Sequence, residues 1–195
     1  MLRIVVLVSG SGTLLQSVID ASREPSYGVE IVAVGSDRTK AYGLTRAQQA
    51  GIATFALPYR KGEDRAAWDA ELTEQVASHH PDLVVSAGFM KLVGESFLAR
   101  FGGRMLNTHP ALLPSFPGMH GVRDALAHGV KVSGATLFEV DSGVDSGRII
   151  AQRAVEVLDG DDEETLHERI KVAERELLVE HLGRLARVAG RSGMH

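Results

Sequence analysis

Two periods of apolar residues alternate along the chain. Leu2 to Val8 is an unbroken, β-branched apolar run, the pattern of a parallel strand buried on both faces. It stops at Ser9-Gly10-Ser11-Gly12-Thr13, after which Leu14, Leu15, Val18 and Ile19 recur at helical spacing. A second buried strand is predicted over Glu30 to Ser36, then a helix over Ala41 to Ala50 closed by Gly51. Ala53 to Leu57 reads as a short third strand. Asp64 is placed to cap a helix whose Trp68, Leu72 and Val76 repeat at i, i+4 and i+8. Asp82 to Ser86 is a fourth strand, Glu95 to Phe101 a short helix, and Met105 to His109 a fifth strand. Pro110 ends that strand, because proline has no N–H for the ladder. A short helix over Val122 to His128 precedes two strands, Lys131 to Val140 and Ile149 to Leu158, with no helix between them. The last element opens with acidic Asp161 to Glu164, which favour a helix N-terminus. It carries Leu166, Ile170, Ala173, Leu177, Leu178, Leu182 and Leu185 as an apolar stripe, and its last five residues are expected to fray. The alternation predicts an α/β fold: an open, mostly parallel twisted sheet flanked by helices, with a mixed edge where the late strands pair directly.

Composition narrows this picture without changing it. A chain of 195 residues suits one domain, residues 1–195, because two would leave small cores. The net charge of −4, from 21 basic and 25 acidic residues, argues against broad nucleic-acid or membrane binding and leaves room for a local phosphate pocket. The absence of cysteine excludes disulfides, thiolate chemistry and Cys-based zinc sites, and fits a reducing compartment. The apolar start is too short for a signal peptide or a membrane span, so a cytoplasmic location is expected.

Candidate chemistry gathers at strand ends. Side chains two apart on a strand share a face, so Asn107 and His109 emerge side by side where the loop opens. A carboxamide beside an imidazole can hold a carbonyl oxygen and move a proton; the bland alternative is a polar strand end with a satisfied histidine. Pro110, Pro114 and Pro117 stiffen the loop that follows. Ser9 to Thr13 reads equally as a tight βα turn or as a phosphate cradle at a helix N-terminus. It is neither the full dinucleotide fingerprint, since Leu15 stands at the third glycine position, nor a Walker loop. Arg65 lies in the first turn of its helix, where a cation gains nothing from the dipole, so it is either a ligand or an exposed arginine. Ala87 to Val93 is core or the apolar wall of a pocket. Asp141 to Gly147 lacks the ligands of a calcium loop and reads as a surface hairpin. His79 and His80, beside Pro81 at a helix end, suit the dipole and are assigned no chemistry.

Together these pieces resemble one family. Asn107-x-His109-Pro110-Ala-Leu-Leu-Pro114, preceded by Ala87-Gly-Phe-Met90 and followed by Asp141-x-Gly-x-Asp145-x-Gly147, strongly resembles the formyltransferases that use 10-formyltetrahydrofolate. The resemblance covers almost the whole chain. It implies a Rossmann-like formyltransferase fold, 10-formyltetrahydrofolate as co-substrate, no required metal, and small-molecule partners handled by a monomer or homodimer. The turn from Ser9 to Gln16 and the chain length are similar to the branch whose amine acceptor is phosphoribosylglycinamide. Other acceptors, such as an amino-sugar nucleotide, and a non-catalytic nucleotide- or folate-binding role are the alternatives.

By resemblance, His109, Asn107 and Asp145 are catalytic, with Asp145 raising the basicity of His109 and relaying a proton. Gly12, Thr13 and Leu14, with Lys171, Val172, Ala173 and Glu174, match the phosphoribosylglycinamide positions. Arg65, Met90, Lys91, Leu92, Val93, Asn107 and the loop Asp141, Ser142, Gly143, Val144, Asp145 match the folate positions. Three residues depart from the common pattern. Leu14 lacks an amide side chain, Lys91 replaces arginine, and Arg148 replaces a proline, so the loop before it is expected to be more mobile.

Overall fold

The computed structural model describes residues 1–192. Seven strands, β1 (Leu2–Val8), β2 (Val29–Ser36), β3 (Thr54–Ala56), β4 (Leu83–Ser86), β5 (Met105–His109), β6 (Val132–Glu139) and β7 (Ile149–Glu156), form one sheet in the order β3-β2-β1-β4-β5-β6-β7. The first five pair in parallel, while β5–β6 and β6–β7 are antiparallel, so the mixed edge is present. The helices are α1 (Thr13–Ser22), α2 (Tyr42–Gln49), α3 (Arg65–Ala77), α4 (Glu95–Phe101), α5 (Gly121–His128) and α6 (Glu163–Ser192), with a 3-10 turn at Pro25–Tyr27. Boundaries move by one or two residues from the periodicity. The predicted strand to Leu158 ends at Glu156, because the Leu158 N–H is drawn into the next turn and donated to Asp161 Oδ2 at 2.8 Å. The helix α6 is continuous to Ser192, and the rest of the end expected to fray lies outside the described residues.

Alternation along each strand divides the core in two. Val6, Val85, Leu106 and Leu137 pack with Leu15 and Ile19 of α1 and with Leu178 and Leu182 of α6. Val5, Leu7, Val84 and Met105 pack with Trp68, Leu72, Phe97 and Phe101 of α3 and α4 on the other face. The α6 stripe serves two clusters: Leu166, Ile170, Ala173 and Leu177 meet Val122 and Ala135 over the antiparallel edge. Burying a leucine or isoleucine fully is worth roughly 1.5–3 kcal/mol, so this stripe holds the late strands to the parallel half. No helix among the described residues is long and apolar enough to cross a membrane.

Strand order positions the site. β1 lies between β2 and β4, so the chain winds outward from β1 in one direction and resumes at β4 in the other. Open α/β sheets take ligands at such a switch, beyond the carboxyl ends of the strands. The segments leaving β1 and β4 therefore flank a crevice, and β5 ends one strand further along.

Candidate active site

At the end of β5, His109 is 4% exposed. Met105 faces α3 and α4, so Asn107 and His109 point to that face and Thr108 to the α6 face. His109 Nδ1 lies 3.3 Å from Asp145 Oδ2, and Nε2 lies 2.7 Å from the Phe116 carbonyl oxygen. A carbonyl only accepts, so Nε2 carries a hydrogen and donates it; an ionised Asp145 also only accepts. Nε2 is thus hydrogen-bonded, and Nδ1 faces the Asp145 carboxylate at ion-pair distance. Asp145 Oδ2 accepts the Gly118 N–H at 2.8 Å, which ties the loop after β6 to the proline loop after β5. A side chain at Gly121 would meet His109 Nε2 and the Phe116 oxygen at 3.0 Å, so the ring is enclosed from that side too. Asn107 is half-buried, and its carboxamide has no hydrogen-bond partner among the described residues.

The turn after β1 has the geometry of a tight βα turn and leaves the other reading from its sequence open. It is tight: Gly12 has φ +69°, and a Cβ there would come within 2.6 Å of Gly43 Cα in α2. It also leaves α1 uncapped by any side chain, so the first amides of the helix stay available to an anion. Thr13 is exposed and Leu14 half-buried. Arg46 of α2, which the sequence reading passed over, donates to the Ser11 carbonyl at 2.8 Å and to Gln16 Oε1 at 3.0 Å. It brings a cation to this turn.

After β4 the segment divides: Ala87 and Phe89 are buried in the core, while Met90 and Leu92 are each 64% exposed and free to line a crevice. Its backbone is anchored along its length. Met90 N–H donates to Ser9 Oγ at 2.8 Å, Arg65 donates to the Leu92 carbonyl, and Asp69 accepts from the N–H groups of Gly94 and, at 3.0 Å, Phe97. Arg65 also stacks 4.3 Å from the Trp68 ring centroid, so its guanidinium supports the wall and packs on aromatics. Lys91 Nζ lies 5.5 Å from the Tyr59 ring centroid. In the loop between β6 and β7, Asp141 Oδ1 accepts from the Gly143 N–H at 3.0 Å and from Ser146 Oγ at 2.8 Å. Ser142 and Gly143 are exposed, Val144 is 52% exposed, and Arg148 pairs with Glu139 across the hairpin where a proline would have stiffened it.

On α6 the four neighbouring candidates separate. Glu174 reaches β5 and bonds the Thr108 side chain, between Asn107 and His109 in sequence; burial raises its carboxyl pKa, and the Thr108 bond and Lys171 pull it down. Lys171 pairs with Glu168 at 2.6 Å. Ala173 is buried in the cluster with Val122 and Leu166, while Val172 is 45% exposed. Asp37, Arg46 and Asp69 were missed from the sequence, and Ser9 was read only as part of its turn: a lone polar residue in a turn or on a helix does not announce a partner far along the chain. Concavities of ≈ 370 Å³ beside Arg60 and Trp68, and ≈ 460 Å³ between Arg3, Glu30 and His79, do not include His109.

A mostly parallel sheet with this Asn-His strand end, backed by a carboxylate from a neighbouring loop, has the donors and acceptors to handle a carbonyl and a proton. The chain belongs to the formyl transferase family, whose model matches residues 2–182. Within that family it is similar to the phosphoribosylglycinamide formyltransferase of Mycobacterium tuberculosis H37Rv, 56% identical over 184 residues, 94% of this chain and 85% of that protein. The trifunctional purine biosynthetic protein adenosine-3 of Drosophila melanogaster is 43% identical over 174 residues, 88% of this chain and 13% of that protein. The crystal structure of glycinamide ribonucleotide transformylase 1 from Symbiobacterium toebii superimposes with a TM-score of 0.92 at 45% identity, covering 96% of this chain and 88% of that one.

Proposed function

We propose that this enzyme transfers the formyl group of 10-formyltetrahydrofolate to the glycyl amine of 5′-phosphoribosylglycinamide, releasing tetrahydrofolate and the formylated ribonucleotide of purine synthesis. The observation that carries the reading is the buried His109 ring, paired with a half-buried Asp145, beside an unpartnered Asn107 at the end of β5. The 56% identity to a phosphoribosylglycinamide formyltransferase supports the choice of acceptor.

The amine nitrogen attacks the formyl carbon; the carbonyl electrons move to oxygen, and the attacking nitrogen becomes an ammonium. Collapse of the tetrahedral species breaks the bond to N10 of the folate, which takes up a proton as the new amide loses one. Asn107 and the Nε2–H of His109 donate to the oxyanion, each such donor being worth about 3 kcal/mol. His109 Nε2 is held by the Phe116 carbonyl at rest, so it reaches substrate by exchanging that carbonyl for the oxyanion. Asp145 keeps the ring oriented and, through water, carries the proton from ammonium to leaving nitrogen. Direct transfer requires neither a covalent enzyme intermediate nor a metal. The uncapped start of α1 at Gly12, Thr13 and Leu14 takes the phosphate through backbone amides, so the missing amide side chain at Leu14 does not remove that interaction. Glu174 takes the acceptor's ribose or amine, with Lys171, Val172 and Ala173 forming the adjacent turn of α6. Met90 to Val93 and the loop from Asp141 to Asp145 hold the pteridine, with Arg65 supporting the wall from behind.

Mixing the protein with 10-formyltetrahydrofolate and phosphoribosylglycinamide, and following the folate absorbance, tests the reading. Turnover is expected. No turnover with this acceptor, together with turnover of an amino-sugar nucleotide, overturns the acceptor assignment; turnover with neither leaves a binding domain.

A further inference from the structure

Ser9 is 2% exposed and Asp37 6% exposed, and the two sit where three strand ends converge. Ser9 is the first residue beyond β1, and Asp37 the first beyond β2. The Ser9 N–H donates to the Gly88 carbonyl at 3.1 Å, just past β4. Its hydroxyl donates to Asp37 Oδ1 and accepts the Met90 N–H at 2.8 Å. The direction of this chain is set by chemistry. A carboxylate only accepts, so the hydroxyl hydrogen goes to Asp37 and an oxygen lone pair is left for Met90.

Ser9 is the only hydrogen-bond donor to Asp37 among the described residues. A buried carboxylate depends on the donors it has, so the Ser9 hydroxyl is what holds Asp37 in place. Ser9 begins the turn whose amides take the phosphate, and Met90 begins the wall that takes the pteridine. One side chain thus spans the crevice between the two substrate subsites.

We propose that Ser9 and Asp37 are a positioning pair, setting the phosphate turn and the folate wall in register so that both substrates bind with their reacting ends aligned. This rests on the substrate assignment above. Neither residue touches the reacting atoms. The pair acts through the backbone of Gly10 to Gly12 on one side and of Met90 to Val93 on the other. Displacements of an ångström are enough to cost a bound reactant its productive geometry.

Kinetics of Ser9→Ala and Asp37→Asn with each substrate varied, alongside amide exchange, test the pair. Ser9→Ala is expected to raise KM for both substrates by about tenfold. It is also expected to speed exchange of the Met90 amide by about tenfold or more, leaving the Val6 and Val85 amides protected. Asp37→Asn keeps the Oδ1 acceptor and is expected to hold all of these within about threefold of the parent. A KM change confined to one substrate, or a deprotected Met90 amide with both KM values unchanged, overturns the proposal. If Ser9→Ala does not fold, Asp37→Ala removes the acceptor of the hydroxyl and must show the same two-sided signature. If the parent protein fails to turn over phosphoribosylglycinamide, the acceptor assignment is what fails. The pair is then judged by calorimetric Kd values for 10-formyltetrahydrofolate and inorganic phosphate, both of which must weaken in Ser9→Ala.

Discussion

His109 at the end of β5 is 4% exposed and engaged at both ring nitrogens, whereas Met90 and Leu92, beyond β4 at the same edge of the sheet, are each 64% exposed. The two regions solve opposite problems. A group that stabilises charge needs fixed partners and little water, because donors and acceptors act more strongly where the surroundings do not screen them. A wall that receives a flat ligand has to leave its side chains open until the ligand covers them. Its precision comes from the backbone, which buried Ser9 and Asp69 hold at its two ends and Arg65 holds at Leu92. Substitutions at the enclosed centre should therefore change kcat, and those at the open wall should change KM.

The largest effect is expected at the centre. His109→Ala should lower kcat by about 10²–10⁴, equivalent to roughly 3–5 kcal/mol in the barrier, with the affinity for folate little altered. Steady-state kinetics with a separate folate-binding measurement check this, and a kcat within tenfold of the parent would take His109 out of the central role.

Next comes Asp69→Ala, which strips the acceptor from the Gly94 and Phe97 N–H groups. Unfolding in urea should show a loss of about 1–3 kcal/mol, accompanied by a higher KM for the folate donor at unchanged kcat. Lost stability with an unchanged donor KM would mean that Asp69 serves only the start of α4.

Leu92→Ala is smaller. Stability should stay within about 0.5 kcal/mol, as for other exposed positions, while donor KM rises up to about tenfold for the lost apolar contact. A change in kcat instead would break the contrast between wall and centre.

The smallest effect concerns pH. Burial raises the Glu174 carboxyl pKa, so the folded state holds that proton at pH values where the unfolded chain has released it. The resulting stability is fully present below the ordinary carboxylate range and is lost as pH rises through the folded pKa. Glu174→Gln should flatten that part of the profile of stability against pH, measured by thermal denaturation across a pH series. A parent and variant with parallel profiles would remove Glu174 as its source.

Much of the architecture was legible along the chain because the forces that make it are local. The continuous apolar run of β1, the periodic stripe of α6 and the proline after β5 each report a nearby burial or a missing N–H. The Asn107-x-His109 pair is local in the same sense, since alternation alone puts the two on one face. What periodicity could not report is which distant segments meet. Asp145 reaches His109 because β5 and β6 run antiparallel, and Glu174 reaches Thr108 because α6 lies across that edge. Ser9 meets Met90 only because β4, and not β3, lies beside β1. The linear pattern determined the elements, their faces and the candidate strand end. Strand order and the packing of α3 and α6 decided the partners, because hydrogen bonds and ion pairs act over about 3 Å in space whatever the separation along the chain.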